Sequence, residues 1–323
     1  MRISHEELEW ATGVVRRWVP PTPQYAWPLL GCKVGAEVWV KHENHTPTGA
    51  FKVRGGLTYV ERMRAERPEV QGIVSATRGN HGQSLAFAGR TAGLSVTIVV
   101  PHGNSPDKNA AMKGFGAELI EHGHDFQAAR EHASAIGAER GLETVPSYHR
   151  DLVLGVATYA RELFEVAGEL DAVYVPIGMG SGISGIIGVR DLLGLRTEVI
   201  GVAAEQAAAV ALSVAAGRVV NTDTASTFID GVATRVPDPD AVSVIMAGAA
   251  RVLTISEDDA AQAMRVLYAT THNVPEPAGA LALAGLLAER AQVAGRRVAV
   301  IQTGGNADAD LLLRVLAGQT PAA

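Results

Sequence analysis

Cysteine is nearly missing from this chain. Cys32 is the only one in 323 residues, so neither an intrachain disulfide nor a thiolate metal cluster can form. Long apolar runs are also missing. None reaches the ~18 residues that a membrane helix requires. No block of basic residues occurs and the net charge is -6, which argues against a nucleic-acid partner. The opening stretch MRISHEELEW is polar and acidic, unlike a signal peptide. Together these absences point to a cytoplasmic protein kept reduced. Low-complexity linkers and internal repeats are absent too, so any division into domains must come from topology.

What is present is alternation. Short apolar runs read as strands at Val38–Val40, Gly72–Ser75, Val96–Val100, Ala117–Ile120, Val173–Val175, Val199–Val202 and Val298–Ile301. Amphipathic stretches between them read as helices, most clearly Arg54–Arg67, Gly82–Ala92, Asp107–Phe115, Phe126–Arg140, Asp151–Ala167 and Pro277–Ala291. Such alternation predicts an α/β protein whose mostly parallel sheets are covered by helices on both faces. Ser105-Pro106 predicts a helix start, with a serine cap and proline at the first helical position. Open parallel sheets bind ligands at the carboxyl ends of their strands, and four segments stand at or beside such ends.

The first is Ala50-Phe51-Lys52-Val53-Arg54-Gly55. A lysine entering a helix behind a phenylalanine and held partly out of water has a lowered pKa, and a neutral amine can form a Schiff base. A solvated surface lysine is the ordinary alternative. The second, Gly178-Met179-Gly180-Ser181-Gly182, follows a strand and opens a helix. Its backbone N–H groups suit one phosphate monoester, although a tight connection without a ligand has the same signature. The spacing is neither a P-loop nor a dinucleotide fingerprint. The third, Thr77-Arg78-Gly79-Asn80-His81, can receive a carboxylate at a helix start or be a polar turn. The fourth group pairs Glu276-Pro277 with Thr303-Gly304-Gly305-Asn306. These read as ligand contacts near a ring, or as helix-start and turn residues. His122-Gly123-His124-Asp125 has the look of a metal cluster but lies in a loop after a strand, and no metal is expected there.

In this order, these motifs resemble the fold-type II pyridoxal-phosphate enzymes, and within them the short threonine/serine dehydratases and serine racemases. The resemblance runs from Thr22-Pro23 to Thr303-Gly304-Gly305-Asn306, with Asp230-Gly231-Val232 between. It implies two domains: residues 1–66 and 149–323 form a large cofactor-binding domain, and 67–148 a small mobile one. The C-terminal regulatory domain of the long threonine dehydratases is not expected. By the same resemblance Lys52 binds the pyridoxal 5'-phosphate aldehyde, Phe51 packs near the cofactor and Asn80 bonds its 3′ oxygen. Gly178, Met179, Gly180, Ser181 and Gly182 hold its phosphate, Thr303 faces its ring nitrogen and Glu276 sits near the ring. Thr77, Arg78, Gly79 and His81 receive the substrate. The implied reaction is dehydration of a β-hydroxy-α-amino acid such as L-threonine or L-serine to a 2-oxo acid and ammonium, by a homodimer.

Four departures bear on that expectation. Ala50 stands where the family has serine. Met179 and Ser181 interrupt a loop often made of glycines, though its backbone donors survive. Ala203 and Ala204 replace the Glu-Pro of cation-dependent relatives, which puts metal dependence in doubt. Arg78 occupies the position where racemases carry a serine, and it has no hydroxyl to serve the face opposite the lysine. The remaining readings are a dehydratase for 3-hydroxyaspartate or a bulky or aryl serine, a racemase, or a β-replacement synthase.

Overall fold

A computed structural model describes residues 1–322. Ten strands are present: β1 (Gln24–Ala26), β2 (Glu37–His42), β3 (Gly72–Ala76), β4 (Ser95–Val100), β5 (Glu118–Glu121), β6 (Glu143–Thr144), β7 (Ala172–Pro176), β8 (Glu198–Ala204), β9 (Arg251–Ile255) and β10 (Arg297–Gln302). The helices are α1 (His5–Arg16), α2 (Pro28–Val34), α3 (Lys52–Glu66), α4 (Asn80–Thr91), α5 (Pro106–Gly114), α6 (Phe126–Arg140), α7 (Arg150–Ala167), α8 (Ser181–Leu192), α9 (Ala209–Ala216), α10 (Pro239–Gly248), α11 (Glu257–Thr271), α12 (Pro277–Ala288) and α13 (Ala309–Leu316).

The strands form two sheets. One has six strands in the order β1-β2-β10-β7-β8-β9, and the other has four in the order β5-β4-β3-β6. Every pairing is parallel except β1 with β2. Parallel sheets need cover on both faces, and side chains here alternate to supply it. Tyr174, Val298 and Val300 face a core that includes Leu281 of α12, while Val173, Val175, Ala299 and Ile301 face a second core with Leu163 of α7 and Ile183 of α8. The smaller sheet is likewise covered, by α3 and α4 residues such as Leu57 and Leu85 on one face and by Ala129, Ala133 and Ile136 of α6 on the other.

All seven strand-like runs fall on strands, and the six helical stretches fall on helices with ends moved by a few residues. The last of them stops at Ala288 rather than Ala291, where the chain turns toward β10. Ser105 caps α5, its hydroxyl accepting from the Lys108 N–H at 3.2 Å, with Pro106 at the first helical position.

Candidate active site

Five connections meet between the two sheets, each leaving or flanking the carboxyl end of a strand. Backbone bonds stitch three of them together. Ala50 forms an isolated antiparallel bridge with Gly304. The Phe51 N–H donates to the Thr303 carbonyl at 2.9 Å, and the Glu276 N–H donates to the Gly304 carbonyl at 3.0 Å. The Thr46 hydroxyl accepts from the Ala50 N–H at 3.0 Å and donates to its carbonyl at 2.8 Å, so the approach to Lys52 is held on both sides.

Lys52 opens α3, and its Nζ lies 4.8 Å from the Phe51 ring centroid. Burial lowers the amine to about 8, although the charge of Glu276 acts to raise it. Lys52 lines a cavity of about 130 Å³ together with Thr77, Arg78, Gly79, Asn80, His81, Met179 and Glu276. Of the residues singled out from sequence, Phe51, Gly178, Gly180, Ser181, Gly182 and Thr303 do not line this chamber but surround it. A Cβ placed on Gly182 would lie 4.0 Å from the Phe51 ring, and one on Gly178 would lie 2.9 Å from the carbonyl of Gly231, itself a lining residue. Thr303 is buried.

The turn before α8 is shaped by glycine. Gly180 has φ 99° and caps the helix with no side-chain bond. That backbone region favours glycine, and the bare cap leaves the first N–H groups of α8 available to an anion. Asn80, the first residue of α4, donates from Nδ2 to both carboxylate oxygens of Glu276 at 2.8 and 2.9 Å, while its Oδ1 accepts from Asn306 at 2.8 Å. His81 is buried and its Nε2 has no partner. Burial, reinforced by the Lys52 charge, lowers this imidazole to about 3 and keeps it neutral. Arg78 is exposed, lines the chamber and makes no ion pair among the described residues, so the reading in which it points to a surface acid finds no partner.

Sequence reasoning missed Lys108 and Asp230 as lining residues. Their side chains form an ion pair that crosses the chamber from α5 to the Asp230–Val232 turn. Burial opposes the charge on Lys108, but Asp230, with Glu276 and Asp308, outweighs it and raises the pKa. The two positions are 122 apart in sequence, too far for a local pattern to link them. A second bond, from the Ser105 hydroxyl to Asp308 at 2.6 Å, ties α5 to the segment after β10.

Glu276 is buried at the start of α12, and burial raises its carboxyl to about 7, against the lowering effect of the Asn80 bond. A carboxyl shifted from 4.5 to about 7 destabilises the fold by roughly 3 kcal/mol once it must ionise. The sign follows from proton binding: below pH 4.5 both states are protonated and the cost is absent; it grows between 4.5 and 7, where only the unfolded chain has lost the proton, and is fully present above 7. Glu276→Gln, which keeps an acceptor for Asn80, is therefore expected to raise the urea midpoint of the cofactor-free protein at pH 8 and to match wild type near pH 4.5. An equal gap at both pH values would remove the carboxyl as its source.

Comparison with known proteins agrees with this geometry. The profile of the family described as "Pyridoxal-phosphate dependent enzyme" matches residues 15–304. The chain is 32% identical over 298 residues to an L-threo-3-hydroxyaspartate ammonia-lyase of Pseudomonas sp, covering 92% of this chain and 93% of that protein. It is 29% identical to the protein of that name from Saccharomyces cerevisiae, over 96% of this chain and 95% of the relative. Among solved structures, the processed form of threonine deaminase isoform 2 from Solanum lycopersicum superposes with TM-score 0.88 at 25% identity, over 98% of this chain and 95% of that one. The site fits the group that the family binds. It has an amine of lowered pKa, a glycine turn packed so closely on the Gly231 carbonyl that a Cβ at Gly178 would collide with it, and an orphaned ring nitrogen on His81.

Proposed function

Because this chain belongs to the pyridoxal-phosphate dependent enzymes, we propose that it is a lyase removing water from a β-hydroxy-α-amino acid, with a 2-oxo acid and ammonium as products. The observation that carries this reading is the lowered Lys52 amine facing one chamber with Asn80, Glu276 and the Thr77–His81 turn. When bound, the cofactor supplies an electron sink that acidifies the Cα–H of an amino acid joined to it.

The chain's own residues do the rest. Backbone N–H groups at Gly178–Gly182 would hold the phosphate, Asn80 would bond the 3′ oxygen and Thr303 would offer the ring nitrogen a neutral hydroxyl. A carboxylate at that position would deepen the sink, whereas the neutral Thr303 hydroxyl would leave it shallower and so favour elimination over proton exchange. Lys52 Nζ takes the Cα proton and passes it to the departing β-hydroxyl, which leaves as water, and hydrolysis of the released enamine gives the 2-oxo acid and ammonium. The N–H groups of the Thr77–His81 turn bind the substrate carboxylate. Elimination is favoured over racemisation because Arg78 offers no hydroxyl to return a proton on the second face. Residues 67–148 act as a small domain that moves against residues 1–66 and 149–323 to exclude water. The enzyme works in the cytoplasm as a homodimer. No helix among the described residues is long and apolar enough to cross a membrane.

Ammonium release screened over β-hydroxy amino acids of both Cα configurations tests the reading. A holoenzyme that releases ammonium from none of them sinks it. Within that screen, Arg78→Ala is expected to raise KM about tenfold or more, the equivalent of one charged hydrogen bond, with kcat largely kept. Unchanged kinetics on every substrate would make Arg78 a surface residue only.

A further inference from the structure

The chamber around Lys52 opens onto a second and larger cavity. The first holds about 130 Å³ and the second about 620 Å³. Arg78, Phe126, Ser147, Met179, Ala233 and Thr234 line both, so the two share a mouth. Ligand pockets usually span about 300–1,000 Å³. The annex lies in that range and the chamber falls well below it. The annex adjoins the chamber at Arg78 and Met179, and is the space open to a β-substituent too large for the chamber itself. Serine and threonine carry at most one methyl there, a group of roughly 30 Å³ by comparison with a water molecule, and would leave most of the annex empty.

The walls suit something larger. One face of α6 contributes Phe126, Arg130, Ala133 and Ser134 at helical spacing. Residues 225–239 contribute Ala225, Ser226, Ala233 and Val236. Small side chains on both sides give depth, and Phe126, Met179 and Val236 give apolar surface. The acids that line the annex are already engaged. Asp125 caps α6 and faces Arg235 at 3.8 Å, Asp238 caps α10, and Asp230 pairs with Lys108. Arg78 and Arg130 have no carboxylate partner among the described residues.

We infer that the enzyme takes β-hydroxy-α-amino acids whose β-substituent is ring-sized or longer, apolar near Cβ and bearing an anionic acceptor at its far end for Arg130. This rests on the lyase reading above and adds the substrate class.

The test compares serine, threonine, 3-hydroxyaspartate, 3-phenylserine and 3-(4-carboxyphenyl)serine on wild-type holoenzyme, Ser134→Trp and Ser226→Trp. Both serines are exposed, line only the annex and lie outside the chamber. The two aryl substrates are expected to show kcat/KM at least tenfold above serine and threonine, with the carboxylated one best. Each tryptophan variant should cut the aryl values tenfold or more and leave serine within twofold. Titration with 4-carboxyphenylalanine and alanine, neither of which has a leaving group, should show the same order in Kd and the same loss in the variants. A best substrate among serine, threonine and 3-hydroxyaspartate, or variants that slow every substrate alike, overturns the inference. If no β-hydroxy amino acid yields ammonium, the lyase reading fails, and the titration still decides the annex.

Discussion

Lys52→Ala is expected to lower turnover by about 10³-fold or more, since a positioned general base alone contributes typically 10²–10⁴ and the covalent anchor is lost with it. No neighbour can take over. His81 is a weak base, because burial, the larger cause of its lowered pKa, persists when the Lys52 charge is gone. Lys108 lines the same chamber, yet its pairing with Asp230 raises its pKa and keeps its proton on. Lys52→Arg should fail as well, since a guanidinium does not deprotonate at working pH. Two measurements check this. Ammonium release should fall to the uncatalysed level. Borohydride reduction of the yellow holoenzyme should leave a mass label on the Lys52 peptide of wild type and on no peptide of Lys52→Ala. Wild-type turnover by the alanine variant would place the chemistry elsewhere.

How far the sequence leads is clearest at the sheet edges. The three strands with no legible signal, β1, β6 and β9, all lie at edges. Buried parallel strands such as β7 are covered on both faces and read as unbroken apolar runs. An edge strand is short or half exposed: β6 has two residues, and most of β9 is only partly buried. The helix start at Lys52 and the strand-to-helix turns at Gly180 and Asn80 are local, so their residue types announce them. The pairing of Lys108 with Asp230 and the annex beside Arg78 arise from chain segments far apart in sequence. Periodicity cannot show which of them face one another, nor how much space they leave.

The same limit applies to Arg54, which reads from sequence as one more motif residue and proves to be wholly buried. Its guanidinium donates to Glu43 at 2.7 and 3.0 Å and to Glu162 at 2.8 and 2.9 Å. Lys41, also buried, meets Glu162 at 2.6 Å, and the Thr22 hydroxyl donates to Glu43 at 2.6 Å. Burial alone would favour loss of the proton from Arg54, but Glu43 and Glu162 raise its pKa above the ordinary range. The cluster anchors the first turn of α3 from behind, two residues beyond the amine at Lys52. Removing one member of a buried ion pair costs about 3–5 kcal/mol, because the partner charge is left uncompensated. Arg54→Met is expected to lose stability on that scale, with both carboxylates then sharing Lys41 alone. Adding Glu43→Gln to Arg54→Met should recover part of the loss, since one stranded charge disappears. Urea unfolding of the three proteins at pH 8 measures both effects. A loss under about 1 kcal/mol for Arg54→Met, the size of an exposed pair, or no recovery in the double variant, would mean that the charges do not depend on one another.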